Sequence, residues 1–441
     1  MNELSLIVLM AVSGALILRG LLLKTGPLRY PFLAALVVAG WFIPQAIGLT
    51  NDVLLPEGGY ALTMFYASAC LVAVFLGDVL AKRPSSITVV GYDEKRLLIG
   101  AAVLSAVGLL AYSMIFRVDR QVNEQGLTTG IVTILFFFSR LQYFGYGIAL
   151  LLLLHRWSWP ALAIVLVDLN SILGFVLFGG RRGPAVDILL ITLCMLWFQR
   201  RILVPRLALI GGAAVAAIVV NSIGHYRSLV ATNERLPTLE EFFSIDFLEN
   251  FTQITQEGFY EVRNAITYIA ATFETANYDF GLQYWNFLVF SYVPAQFVGA
   301  DLKAALMFDL PDNAVEAYGF ERHIGTTFSG FADSFIALSF LGVFVWGWIA
   351  AVFARWWHRG NAGDWRAQAF YALSLATGLH AVTHSTQWFI TFLPLLFIFI
   401  LPLFAWARLK KEAQHRLSGQ ATSGNWGDQG PRRSGNAPLK L

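Results

Sequence analysis

Apolar residues follow one another in runs of about 18–22 positions, and the short breaks between runs carry most of the charge. A run of that length lets an α-helix cross a hydrocarbon core ~30 Å thick. The pattern predicts spans over residues 4–23, 31–49, 61–81, 97–115, 131–154, 159–178, 185–199, 207–223, 333–354, 367–383 and 386–407. Helices are the expected solution because a backbone in lipid must satisfy its own hydrogen bonds. A membrane barrel would instead show short segments of alternating polarity. The expected fold is therefore an all-α polytopic membrane protein of about 11 transmembrane helices, with a large helical extracytoplasmic loop between helices 8 and 9. Its parts divide as 1–223 for helices 1–8, 224–332 for the loop, 333–408 for helices 9–11 and 409–441 for a disordered tail.

Composition agrees with that pattern. Hydrophobic residues make up 57% of the 441 positions and charged residues 13%, values that exclude an ordinary soluble domain. The two cysteines, Cys70 and Cys194, lie in apolar runs and read as packing. The first run, "LSLIVLMAVSGALILRGLLL", lacks a basic flank before it and a cleavage site after it, and reads as a retained span.

The position of the cations says more than the net charge of +3. With the N-terminus outside, Lys24, Arg29, Lys82, Arg83, Lys95, Arg96, Arg156, Arg200, Arg201, Arg206, Arg355, Arg359, Arg366, Arg408, Lys410 and Lys411 all face the cytoplasm. The short connections on the other side hold only Arg117, Arg120, Arg181 and Arg182, as the positive-inside rule requires. The loop 224–332 mixes acids with aromatic stretches such as "GLQYWNFLVFSYVPAQFVGA", which suit helices lying at the membrane interface.

Arg181 and Arg182, in "FGGRRGPAVD", are the exception to the charge rule, and they precede a span whose first turn holds Pro184. Two guanidinium groups at a helix N-terminus suit a phosphate or diphosphate. The alternative is that they anchor the helix at lipid headgroups. Arg227 leaves the eighth span on the same side, either as a third cation for the anion or as an ordinary loop ion pair. His323 and Glu321, in "GFERHIGTTFSGFADSF", are candidate bases for a sugar hydroxyl, against the reading of a solvated loop. His380 and His384 are spaced as a pair of metal ligands, but no third ligand accompanies them, so no metal is expected. Arg140, Asp168 and Asp187 are ionisable groups at membrane depth, and Asp187 is expected to orient one of the arginine pair. No P-loop, dinucleotide fingerprint or CxxC occurs where it could serve, so no cofactor is expected.

These elements resemble those of the Wzy-type oligosaccharide repeat-unit polymerases and the related O-antigen ligases. The likeness rests on "GGRRGPAVDILLITLCML", on "FGLQYWNFLVFSYVPAQFVGADLK" and on "GTTFSGFADSFIALSFLGVFVWGWIAAVF", spanning about residues 170–355. Ala295 stands where the polymerases often carry an arginine after proline, and Ile324 and Gly325 follow His323 where the ligases have an asparagine-containing turn. The resemblance implies an inverting, metal-independent membrane glycosyltransferase that polymerises undecaprenyl-diphosphate-linked repeat units at the periplasmic face of the bacterial inner membrane. It implies that Arg181, Arg182 and Arg227 hold the donor diphosphate, that His323 or Glu321 deprotonates the acceptor, and that Tyr284 and Trp285 stack on sugars. The partners it implies are those lipid-linked substrates, membrane lipid and a chain-length regulator protein, with no nucleic acid. Two alternatives stand beside it: transfer of glycan to a lipid A core, and a lipid or polysaccharide transporter without covalent chemistry. A transporter predicts polar groups and broken helices at mid-membrane.

Overall fold

The computed structural model describes residues 1–81, 90–115, 117–118, 121–122, 128–179, 182–221, 238, 240–241, 244–311, 315, 319–320 and 326–409. In chain order the helices are α1 (Asn2–Leu22), α2 (Tyr30–Gly48), α3 (Gly59–Leu80), α4 (Glu94–Ile115), α5 (Ile131–His155), α6 (Trp159–Gly179), α7 (Arg182–Arg200) and α8 (Arg206–Asn221). Then follow α9 (Phe247–Glu257), α10 (Tyr260–Thr275), α11 (Leu282–Tyr292), α12 (Ala295–Val298) and α13 (Ala300–Ala305). The chain returns through α14 (Ser329–Leu338), α15 (Val343–Asn361), α16 (Trp365–Thr383) and α17 (Gln387–Ala407). Among the described residues the only strands are a two-residue antiparallel pair, Gln121–Val122 with Thr128–Thr129.

Eight stretches are long and apolar enough to cross a membrane: α1 to α5, Gly183–Arg200 within α7, the combined stretch Ser329–Asn361, and α17. The chain is an all-α, multi-pass membrane protein. The spans expected at 159–178, 207–223 and 367–383 are also helices, α6, α8 and α16, of shorter apolar length or greater polarity. Both α2 and α17 widen to a π turn, at Val38–Phe42 and Leu396–Ile400, just before Pro44 and Pro402. Proline has no N–H to continue the regular ladder, and a local π adjustment absorbs the mismatch.

Helices in lipid gain nothing by hiding apolar surface from water, so close backbone approach and interhelical hydrogen bonds hold them. The broadest contact, α3 against α15, runs through Gly77 and Gly347. A methyl group on Gly77 would collide with the Gly347 carbonyl oxygen. Between α14 and α15 the helix breaks at a 3-10 turn, Ser339–Gly342, where Ser339 adopts φ 53°. Ser334, one turn before the break, meets the Tyr66 hydroxyl and the Trp346 indole N–H, each at 3.0 Å.

The bundle has two distinct ends. At one, α4, α5, α7, α15, α16 and α17 converge, as shown by Arg96 on the Trp406 carbonyl, His155 on the Trp365 ring and Arg201 on Asn361. At the other, α9 and α10 sit on the ends of α2 and α3, with Gly258 against Gly48 and Arg263 paired to Asp52 at 2.6 Å. Lys24, Arg29, Lys95, Arg96, Arg156, Arg200, Arg201, Arg359, Arg366 and Arg408 all belong to the first end.

Candidate functional site

The "RRGPAVD" element places its second arginine at the first residue of α7, with Gly183 and Pro184 in the opening turn. Proline there takes a position whose N–H would have no intrahelical partner, and the remaining amides give the turn a partial positive charge. Gly183 faces His380: a Cβ at Gly183 would lie 3.9 Å from the His380 ring. Nearly two hundred residues separate the two in sequence.

His380 closes the last turn of α16, and His384 caps it by donating its backbone N–H to the His380 carbonyl at 2.8 Å. Trp388, in the first turn of α17, completes a cluster in which ring centroids are 5.3 Å apart for His380 and His384, 5.7 Å for His380 and Trp388 and 5.6 Å for His384 and Trp388. The His384 Nδ1 and the Thr383 hydroxyl are 2.7 Å apart. Beside this cluster the Arg140 guanidinium lies 5.6 Å from the Trp388 ring centre, a cation–π contact. The charges of Arg140 and Asp187 act on each other. Two helix ends, one arginine, one aspartate and two imidazoles thus share one corner of the bundle.

A second network holds α17 in place next to that corner. Asp333, buried on α14, accepts the Thr386 N–H at 3.0 Å, the Thr386 hydroxyl, and the Gln387 side-chain amide at 2.8 Å. The carboxylate therefore acts as a helix N-cap supplied from another helix, with charge-assisted hydrogen bonds. The Tyr284 hydroxyl joins it, 2.7 Å from Thr386 and 3.4 Å from Asp333. Burial, and then the Asp333 charge, push the Tyr284 phenol above its ordinary range, so it stays protonated at any physiological pH. Burial pushes Tyr292 up to about 12, against the opposing pull of Arg140, and its hydroxyl donates to the Thr391 carbonyl.

Of the residues expected from sequence, Arg181, Arg227, Glu321 and His323 lie outside the described residues, as does the expected tail beyond Leu409. Arg182 is placed by its backbone, at the start of α7. Asp187, expected beside the arginine pair, feels Arg140 as its opposing charge. Tyr284 has its hydroxyl committed to the Asp333 network, whereas Trp285 is half exposed and donates its indole N–H to the Leu306 carbonyl at 2.8 Å. His380 and His384 are a pair, and among the described residues no group of three His, Cys, Asp or Glu forms a metal-binding set. Sequence reasoning missed Trp388 and the meeting of His380 with Gly183. The spacing of 380, 384 and 388, one helical turn each, was the available signal. No family model, curated protein or solved structure matches the chain.

Proposed function

We propose that the chain is an inverting membrane glycosyltransferase that polymerises polyprenyl-diphosphate-linked oligosaccharide repeat units. The observation that carries the reading is the meeting of the α7 N-terminus with His380 and with Arg140 at one corner. A helix N-terminus with arginines beside it suits a diphosphate leaving group, and it supplies charge where charge develops. In this reading eleven spans put the N-terminus and α9 to α13 on the periplasmic side of the inner membrane. The arginine-rich end then faces the cytoplasm.

The chemistry is a single displacement. An acceptor hydroxyl forms a bond to the anomeric carbon of the donor sugar while that carbon's bond to the diphosphate oxygen breaks. The hydroxyl proton passes to a base, His323 or Glu321, with His380 a further candidate from the corner itself. The electron pair leaves on the diphosphate, held by Arg181, Arg182 and Arg227. Trp285 offers its exposed ring to a sugar face.

The test replaces Arg181 and Arg182 together with alanine. The variant should insert normally yet lose high-molecular-weight glycan while single repeat units persist, and lysine at either position should rescue poorly. Normal chain lengths in the double variant would overturn the reading.

The transporter alternative has its own support in Asp168. This residue lies midway along α6, fully buried, accepting the Ser105 hydroxyl at 2.6 Å, and its other carboxyl oxygen has no partner among the described residues. A buried carboxyl midway along a membrane helix provides the polarity that a transport pathway uses. Export of intact lipid-linked units by the purified protein in vesicles, without polymer formation, would select that reading.

A further inference from the structure

A cleft of about 280 Å³ opens between α5, α11 and the short helices α12 and α13. Its walls are largely apolar, with Phe137, Phe138, Phe290, Tyr292 and Phe297 among them, and Lys303 is its one cationic residue. The Lys303 ammonium donates to the Phe290 carbonyl at 3.1 Å and sits 4.6 Å from the Phe290 ring centre. An ammonium has three N–H donors, so two more remain for a ligand. Removal from water lowers the Lys303 pKa, and a nearby anion would oppose that change.

The mouth of the cleft runs on into an apolar surface. Phe297 is 78% exposed, and Leu302 and Phe308 are each 53% exposed on the same stretch of chain. In a membrane protein such a surface continues the lipid-facing belt. The cleft lies near the lower limit of the ~300–1,000 Å³ typical of small-molecule sites, and its largely apolar walls suit a length of hydrocarbon chain better than a sugar. One fixed cation in its wall matches the single negative charge of a phosphodiester. A diphosphate finds more cations at the α7 corner.

We propose that this cleft binds an anionic glycerophospholipid from the surrounding leaflet, one acyl chain lying among the rings and the phosphodiester resting on Lys303. The site is separate from the glycosyl-transfer reading and stands or falls without it. The lipid wedges α12 and α13 against α5, filling space the protein leaves open beside the Arg140 corner.

The test uses the full-length protein with phosphatidylglycerol bearing a diazirine on its acyl chain, and maps the crosslinked peptides. Crosslinks should fall in Gly130–Phe138 and Phe290–Lys303. They should drop about tenfold with Lys303→Glu and with Ala295→Trp, which fills the cleft. Excess unlabelled phosphatidylglycerol should compete the probe away, and phosphatidylethanolamine should do so far less. Crosslinks spread over the whole lipid-facing surface would overturn the proposal. So would preferential displacement of the probe by farnesyl diphosphate, or unchanged labelling in both variants.

Discussion

The two ends of the bundle use their cations differently. At the arginine-rich end the chain consumes its own charges. Asp78 lies between Arg29 at 2.6 Å and Arg19 at 3.2 Å, Arg359 pairs with Asp364 at 2.8 Å, and Arg201 stacks on Trp197 while bonding Asn361. At the opposite corner Arg140 rests on an indole ring, with Asp187 close enough to act on it and the start of α7 nearby. A cation tied to a carboxylate stabilises the fold and carries little field outward. A cation held over an aromatic face with no hydrogen-bonded partner keeps its charge for whatever approaches. Their hydrogen-bonded partners therefore separate structural arginines from candidate ligand-binding ones, a distinction that a count of charges does not make.

Asp78 offers the largest effect with which to break this contrast. Its carboxylate is 2% exposed, so Asp78→Ala should leave Arg29 and Arg19 uncompensated and destabilise the bundle by about 3 kcal/mol. The readout is a lower unfolding temperature in detergent, with function per folded molecule unchanged. A stability equal to the parent's would mean that the arginine-rich end is not the structural one.

Arg140→Lys, which keeps a cation opposite the buried Asp187, should do the opposite. Folding should change little, while the proposed transfer activity falls by a factor of about 100, the scale seen when one preorganised transition-state contact is removed. The measurement is glycan chain length together with thermal stability in the same preparation. Equal losses in both would place Arg140 with the structural group.

The smallest effect concerns Asp279, buried in the loop between α10 and α11, where it accepts the Gly281 N–H at 2.7 Å. Burial raises its pKa above the unfolded value of ~4. A carboxyl with a raised folded pKa binds more protons in the folded state. Stability should therefore decline slightly as pH rises from about 4 through the folded pKa and level off above it. Asp279→Asn should flatten that decline in a pH series of melting curves, and an unchanged slope would assign the pH dependence to another group.

Much of the architecture was legible in the sequence because hydropathy along a helix needs no knowledge of its neighbours. The expected runs 4–23, 31–49, 61–81 and 131–154 meet helices Asn2–Leu22, Tyr30–Gly48, Gly59–Leu80 and Ile131–His155. The break at Ser339 was not legible, since a positive φ leaves no mark on hydropathy. The candidate corner was half legible. The arginine pair stood out by its charge, and the histidines by their spacing. The approach of Gly183 to His380 is a tertiary fact with no local signature, as is the service of Asp333 on α14 as cap to α17.

The polarity of α16 bears on how the protein is made. Its side chains are almost all enclosed by other helices, and Gln368 bonds Gln199 at 2.5 Å and the Gly360 carbonyl at 2.9 Å, while Tyr371 bonds the Leu28 carbonyl at 2.6 Å. A helix so dependent on protein partners is a poor solute in lipid on its own. Its natural route into the bilayer is late in synthesis, leaving the translocon against α7, α15 and the turn before α2, which have already been delivered and offer those hydrogen-bonding groups. The last third of the chain is then the segment most exposed to quality-control proteases when an earlier helix is lost. Truncations and misinsertions upstream should show first as degradation of α16.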